Sequence, residues 1–253
     1  MIDKLATMLH GISNSKGYSV SSVFTDFLDY AIGFFNPTGK PINGWGEKYS
    51  REDSSHFFDI LQTYFLAMQE ETKNKSWYDA FGDLFMAIHP KGQRRGQFFT
   101  PPSLCDMLAE LSLEDYNGAN EHKTRFGQRI VINDCAAGSG RCLLAAHAIF
   151  VKNKYRKPYL IAEDLDVSCC KMTAINMAVH GCFGEVICHD TLAEPKKVRQ
   201  GWIINETMYP FPAPIPSIRP CDEEQMFYTT RPRQKKSNVV EKEKEVYKQL
   251  QLF

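Results

Sequence analysis

The stretch from Arg129 to Cys142 constrains the fold of this chain more than any other. Residues Ile130–Ile132 are apolar and β-branched, which favours a strand buried on both faces of a parallel sheet. Asp134 follows at the expected end of that strand, and Gly138 and Gly140 precede an apolar run typical of a helix. A strand, a glycine turn and a helix allow a nucleotide-like ligand to approach backbone amides closely.

This glycine turn does not meet the dinucleotide-binding fingerprint. The third glycine of that motif would fall at Leu143, so helix and strand cannot approach each other as closely as the motif requires. At this point both an ordinary turn between strand and helix and a site for a small molecule remain open.

Composition indicates a globular chain without bulk charge. The 253 residues are 43% hydrophobic, and 30 basic residues balance 30 acidic ones, so any surface for nucleic acid must be local. No apolar run approaches the roughly 20 residues of a membrane helix. Residues 1–10 lack the basic and apolar pattern of a secretion signal. We therefore expect a cytoplasmic protein.

The eight cysteines show no spacing typical of a disulfide framework or of a zinc site. His180, Cys182, Cys188 and His189 lie close together in sequence, but their spacing matches no standard zinc motif. We predict free thiols and no metal site.

Residues 1–92 are predicted to form a helical region. Apolar residues recur at helical spacing in three segments, which we expect to begin at Ser21–Ser22, at Ser54–Ser55 and near Lys75–Ser76. The many aromatic residues on these helices are predicted to form core rather than a ligand cage.

A basic loop and a helix start follow this region. Lys91, Arg94 and Arg95 lie among glycines, so they are candidates for contacts with DNA phosphates, and a solvated linker is the alternative. Thr100 is predicted to cap the next helix, whose amino terminus can hold a carboxylate.

Three further strands are predicted after the central one, over Tyr159–Ala162, Glu185–Cys188 and Gly201–Ile204. Each ends in polar residues, and an acid at Glu163–Asp164 is suited to accept hydrogen bonds from a ribose. Helices or loops connect the strands, so we predict a parallel sheet with a site beyond its carboxyl edge. The helix before the second of these strands should close at Gly181.

These features together resemble the adenine-N6 DNA methyltransferases, most closely the modification subunits of type I restriction systems. Four segments carry the resemblance: Gly96-Gln97-Phe98-Phe99-Thr100-Pro101, Asp134-Cys135-Ala136-Ala137-Gly138-Ser139-Gly140, Asn176-Met177-Ala178-Val179-His180-Gly181 and His189-Asp190-Thr191-Leu192. Their order along the chain matches the order in the family.

The resemblance implies an α/β protein with a shortened Rossmann-like sheet of the S-adenosylmethionine (SAM)-dependent methyltransferase type, behind the helical N-terminal region. It places this domain at residues 93–208 and leaves 209–253 as a proline-rich segment and charged tail. It implies SAM as cofactor and DNA as substrate. The cofactor-binding residues that it implies are Phe99, Thr100, Pro101, Asp134, Ala136, Gly138, Gly140, Glu163 as the ribose acid and Asp190 as the acceptor for the adenine amine.

The catalytic signature of the family departs from its usual form. Asn-Pro-Pro-Tyr or Asn-Pro-Pro-Phe should follow the fourth strand, where this chain has Asn205-Glu206-Thr207-Met208 and then Tyr209. In the resemblance Asn205 would accept a hydrogen bond from the target amine, and Tyr209 or Phe211 would stack on the flipped base. Glu206 and Thr207 lack the rigidity of proline, so we expect impaired or partner-dependent activity.

The C-terminal segment is predicted to be a solvated tail, with one further strand possible at Glu223–Thr230. Its end resembles the peptide by which bacterial replication proteins bind the sliding clamp, and the matching residues are Gln249, Leu250, Leu252 and Phe253. A helix end that packs on its own domain is the alternative. The predicted fourth strand would have an uncovered edge, which either a partner such as a specificity subunit or the proline-rich Tyr209–Pro220 segment could cover.

Three functions therefore remain open at the level of sequence. The first is methyl transfer to adenine N6 in DNA. The second is a non-catalytic, SAM-binding accessory protein associated with DNA. The third is a methyltransferase that acts on RNA or protein.

Overall fold

A computed structural model describes residues 1–39, 44–89, 98–114, 116, 121–193, 197–206 and 215–226. The candidate DNA contacts Lys91, Arg94 and Arg95, the candidate stacking residue Tyr209 and the candidate clamp-binding residues Gln249, Leu250, Leu252 and Phe253 lie outside the described residues.

Helices form the described part of the chain before the sheet. Their bounds are α1 Ile2–Lys16, α2 Val20–Phe35, α3 Trp45–Lys48, α4 Arg51–Glu71, α5 Ala80–Ile88 and α6 Pro102–Leu113. Helices α2, α4 and α5 correspond to the three predicted helices, so α1 and the short α3 are additional.

The predicted starting points of these helices were wrong by a few residues. Helix α4 is capped by Ser50, whose hydroxyl accepts the Asp53 amide while the Asp53 carboxylate accepts the Ser50 amide. Helix α2 is capped by Ser19 and helix α5 by Asp79. Apolar periodicity locates the body of a helix, but the start depends on which side chain reaches the free amides of the first turn.

The rest of the described chain forms a hairpin and a five-stranded sheet. The bounds are β1 His122–Thr124, β2 Gly127–Arg129, β3 Val131–Asp134, α7 Arg141–Lys152, β4 Tyr159–Asp164, α8 Val167–Val179, β5 Phe183–Cys188, β6 Gln200–Ile204 and β7 Ile218–Pro220. Strands β1 and β2 form the hairpin, and the sheet order is β3-β4-β5-β6-β7. Helix α8 ends as predicted, with Gly181 at φ 65° and its amide bonded to Ala178.

The direction of the fourth strand corrects the prediction of a parallel sheet. Strands β3, β4 and β5 are parallel, but β6 runs antiparallel to β5 and β7 antiparallel to β6. Residues 189–199, which connect β5 to β6, are fewer than the dozen or more that a parallel crossover needs. The edge of β6 is therefore covered by β7, and Glu223–Gln225 forms a short 3₁₀ helix rather than a strand.

One apolar core runs through the helices and one face of the sheet. It extends from Leu5 in α1 to Ile218 in β7, and α8 packs against β4 and β5 on this face. A smaller cluster of Tyr159, Ile161 and Ile187 lies on the other face. The predicted α/β class, a methyltransferase-like sheet behind a helical region, is confirmed, although the sheet is mixed. No helix in the described ranges is long and apolar enough to span a membrane.

A buried carboxylate joins the helical region to the glycine loop. Asp79 is 2% exposed, and each of its oxygens accepts two hydrogen bonds. Oδ1 accepts from the Gly82 amide and from Asn176 Nδ2, both at 2.7 Å. Oδ2 accepts from Ser139 Oγ and Arg141 Nε, both at 2.6 Å. Three segments distant in sequence, 79–82, 139–141 and the part of α8 around Asn176, thus meet at one side chain, which we call the Asp79 hub.

Replacement of Asp79 by alanine should destabilise the protein by about 3–5 kcal/mol, because Arg141 would remain buried without its main partner. Asp83 is a matched control, since it also pairs with Arg141 at 2.6 Å but has a side chain that is 42% exposed. Asp83→Ala should cost less than about 1 kcal/mol. Urea unfolding measures both, and equal losses would contradict the hub.

Acid should destabilise the fold through His147 in α7. Burial lowers the pKa of this side chain to about 3, with smaller contributions from Lys157 and His180. In the unfolded chain His147 binds a proton near pH 6.5, whereas in the folded chain it does not. Its effect on the free energy of unfolding is therefore absent above that pH, and the free energy of unfolding decreases as the pH falls below it. At pH 5 the loss is about 2 kcal/mol. His147→Leu should remove this part of the pH dependence in urea unfolding, whereas His56→Gln at an exposed position should retain it.

Candidate functional site

The carboxyl ends of the three parallel strands bring acidic residues to one edge of the sheet. Asp134 ends β3, Asp164 ends β4, and Asp190 follows β5. Asp134 Oδ1 accepts the Ala136 amide at 3.1 Å, and Asp190 Oδ1 accepts the Leu192 amide at 3.0 Å. The remaining oxygen lone pairs of these carboxylates can accept hydrogen bonds from a ligand.

The glycine loop lies beside these acids in a fixed conformation. Gly138 and Gly140 have φ of 57° and 90°, which side chains other than glycine rarely adopt. The Gly138 amide donates to Asp164 Oδ2 at 2.8 Å, and its carbonyl accepts the Thr173 hydroxyl at 2.8 Å. The Ala137 amide donates to the Glu163 carbonyl at 2.9 Å. The loop is thus attached to both β4 and α8.

The segment Phe99–Pro101 lies against the same loop. The Phe99 ring is so close to Gly138 that a Cβ there would lie 3.1 Å from it. The Arg141 guanidinium is 5.6 Å from the centre of that ring and donates to the Thr100 carbonyl at 3.3 Å. The cap of helix α6 is Pro101 rather than the predicted Thr100, and the helix begins at Pro102.

Glu163 is placed differently from the other acids. It is 1% exposed, and its carboxylate accepts from Asn133 Nδ2 at 2.8 Å and contacts His189 Nε2 at 2.5 Å. Its neighbour Asp164 is half-buried and is bonded to the glycine loop. Asp164 is therefore the better placed of the two acids to reach a ligand at the loop.

The electrostatics of this edge favour a cation. Burial raises the pKa of Asp134 above its usual range, and the nearby charges of Asp164 and Glu163 raise it further. Burial also raises the pKa of Asp164. Like charges held close together in a partly buried site are stabilised when a positive ligand enters.

The Asn176–Gly181 segment contacts both the glycine loop and the helical region. Asn176 Nδ2 donates to the Ser139 carbonyl at 2.9 Å as well as to the Asp79 hub. His180 donates from Nδ1 to the Asn176 carbonyl at 2.7 Å and accepts the Tyr78 amide at Nε2. Burial lowers the pKa of His180, which agrees with this neutral form. The residues of this motif hold the loop and the helical region together.

Asn205 lies at the opposite edge of the sheet from the acids, because β6 runs antiparallel to β5. It is 1% exposed and has a φ of 57°, a conformation that asparagine tolerates better than most residues. Its amide donates to the carbonyls of Ala178 and Cys182 at 3.0 and 2.8 Å and accepts the Ser217 amide at 2.9 Å. These bonds tie the end of β6 to the turn between α8 and β5 and to the residues just before β7.

Sequence reasoning missed three residues of this site. Asp79 has no role in the sequence analysis, because the third predicted helix begins before it, yet it caps α5 and fixes the loop. Asp164 was grouped with Glu163, and the resemblance chose Glu163. Asn133 lies between the predicted strand and Asp134 and has no role in the sequence analysis. Among the described residues, no cluster of histidine, cysteine, aspartate or glutamate could hold a metal ion.

The fold and the site together define an α/β protein with a candidate ligand site at the carboxyl ends of the three parallel strands of a mixed sheet. A family model described as N-6 DNA methylase matches residues 77–210, just over half of the chain. The chain therefore belongs to the N-6 DNA methylase family. Family membership confirms SAM as the predicted cofactor.

Among solved structures, the chain is similar to a Listeria monocytogenes protein assigned to the class I SAM-dependent methyltransferases. The identity is 14% and the TM-score 0.45, with 77% of this chain and 56% of that chain covered. This chain thus spans little more than half of that protein. The curated proteins include no significant match.

Gly138→Ala should weaken SAM binding roughly tenfold, the effect of about 1.4 kcal/mol. The new Cβ would displace the Phe99 ring and strain the loop backbone. Gly127→Ala is the control, because Gly127 has a φ of 87° but nothing within 4 Å of the added Cβ. Calorimetric titration with SAM measures both variants, and equal dissociation constants would contradict the role of this contact.

Proposed function

We propose that this chain binds SAM at the carboxyl edge of β3, β4 and β5 and uses it to methylate adenine N6 in DNA. The observation that supports this proposal is the convergence of Asp134, Asp164 and the Phe99–Pro101 segment on the glycine loop. Bound SAM would supply a methyl group on a positively charged sulfur.

Each polar part of SAM has a matching group at this edge. The diol of the ribose is a pair of donors that suits Asp164, whose Oδ2 already accepts the loop amide. The ammonium group in the methionine part of SAM suits Asp134. The carboxylate in the same part of SAM suits the amino terminus of α6. The adenine amine is a donor that suits Asp190. Glu163 is replaced by Asp164 as the proposed ribose ligand.

In methyl transfer, the role of the protein would be to orient the acceptor amine. Asn205 is committed to structural hydrogen bonds at the far edge of the sheet, so we propose that it does not contact the base. The acceptor contacts would come from another segment or from a partner, as in a modification complex of the type I kind. Contacts of Lys91, Arg94 and Arg95 with DNA, base stacking by Tyr209 and binding of the clamp by Gln249–Phe253 stay predictions.

The position of Asn205 also favours a second function. A protein that retains the cofactor edge but uses its catalytic asparagine structurally would be a non-catalytic, SAM-binding accessory of a DNA-modifying system. The two functions share the cofactor site and differ only in turnover.

A binding experiment combined with a transfer experiment separates them. The full chain is titrated with SAM by calorimetry and then incubated with tritium-methyl SAM and unmethylated DNA of mixed sequence, with RNA and protein as further acceptors. Label in DNA at adenine N6 supports the first function, and binding without transfer supports the second. Label in RNA or protein only would assign another acceptor, and absence of binding would overturn both proposals.

Asp190→Ala should weaken SAM binding by about 1–3 kcal/mol, because the adenine amine would lose its acceptor. Asp59→Ala on the exposed surface of α4 is the control and should leave the dissociation constant unchanged. An unchanged constant for Asp190→Ala would show that the adenine lies elsewhere.

A further inference from the structure

Three polar side chains meet at the carboxyl ends of β3, β4 and β5, on the face of the sheet opposite Asp134 and Asp164. Glu163 accepts from Asn133 Nδ2 at 2.8 Å and contacts His189 Nε2 at 2.5 Å. Glu163 and His189 are 1% and 0% exposed, whereas Asn133 lies at the open side of β3. These residues, which we call the strand-end triad, come from three adjacent strands or their ends.

Each member of the triad immediately precedes a proposed ligand of SAM. Asn133 precedes Asp134, Glu163 precedes Asp164, and His189 precedes Asp190. Successive side chains of a strand point to opposite faces, so a contact on one face fixes the position of the next residue on the other.

The register of the sheet places the triad on one face. Asn133 is paired with Ile161, and Glu163 is paired with Ile187, so Asn133 and Glu163 share the face of the small apolar cluster. His189 follows Ile187 by two residues and reaches the same face.

Backbone hydrogen bonds transmit this arrangement to the ligand side. The His189 amide donates to the Asp164 carbonyl at 3.0 Å, and the Ala137 amide donates to the Glu163 carbonyl at 2.9 Å. The end of β5 and the glycine loop are thereby both attached to the end of β4. A shift of Glu163 would move all of these groups together.

We infer that the strand-end triad is a positioning device that sets the spacing of Asp134, Asp164 and Asp190 for SAM. This inference rests on the proposed function of the same edge. Glu163 would act through its neighbours and would not touch the ribose, which distinguishes it from Asp164.

The experiment measures the dissociation constants of SAM and of its 2′-deoxyribose analogue by calorimetry, together with thermal unfolding. Glu163→Ala should weaken binding of both ligands by a similar factor of roughly tenfold, the scale of a lost buried partner. The ratio between the two ligands should remain that of the wild type. Glu163→Gln should bind nearly as well as the wild type, because its amide can accept from Asn133 and donate to the other tautomer of His189.

Glu185→Ala is the matched control. Glu185 is 0% exposed on the same face and accepts the Tyr159 hydroxyl at 2.8 Å, but it lies further from the edge. This variant should lower the unfolding temperature and leave SAM affinity unchanged. Asn133→Ala, at an exposed position, serves if Glu163→Ala does not fold, and it should weaken SAM binding several-fold, the effect of about 1 kcal/mol.

Two results would overturn the inference while leaving the proposed function in place. One is unchanged SAM affinity in both Glu163→Ala and Asn133→Ala. The other is a loss of discrimination between the two ligands in Glu163→Ala, which would make Glu163 a direct ribose contact. Absence of SAM binding by the wild type would overturn the proposed function and the triad with it.

Discussion

The buried carboxylate of Asp79 is the interaction on which the rest of this structure depends. A charged group inside a protein is tolerated only when it is fully hydrogen-bonded and paired, and the Asp79 hub supplies both conditions at once. Its partners are the first turn of α5, the end of the glycine loop, the start of α7 and the middle of α8. None of these segments satisfies the carboxylate alone. The Asp79 hub therefore couples the helical region to the glycine loop. This agrees with the single apolar core that both share.

The length of one connection decides where the catalytic signature can lie. Strand β6 returns antiparallel because residues 189–199 leave too little chain for a crossover helix. Reversal of β6 takes Asn205 to the amino edge of the parallel strands, where its amide is saturated by backbone groups. Glu206, which stands where the family signature has its first proline, follows Asn205 at this edge. Glu206 pairs with Arg125 and Arg219 at 2.7 and 2.6 Å, so it also has a structural partner.

Local patterns in the sequence were sufficient for the features that depend on local physics. The strand before Asp134, the glycine turn and the close of α8 at Gly181 were all predicted, because each follows from propensity or turn chemistry. The predicted burial of that strand on both faces was wrong, because β3 lies at one end of the five-stranded sheet and its side chains are only partly buried. The direction of β6 and the hub at Asp79 could not be predicted, since they depend on contacts between residues distant in sequence. The exchange of Glu163 for Asp164 as the proposed ribose ligand has a further reason. Adjacent residues of a strand face opposite sides, so a shift of one position exchanges the buried Glu163 for Asp164, which is bonded to the glycine loop.

The two faces of the sheet would have different roles in the binding of a cation. On the helix face, Asp134 and Asp164 lie beside the glycine loop, and their mutual repulsion favours a positive ligand. Repulsion between like charges also favours separation of the strand ends. A site made of several carboxylates therefore needs a contact that holds the strands together without using the ligand-binding groups. The opposite face provides that restraint through Glu163, which connects β3 to the end of β5. In the proposed function, the contacts of Glu163 would therefore set the spacing of the acidic groups for a positively charged ligand.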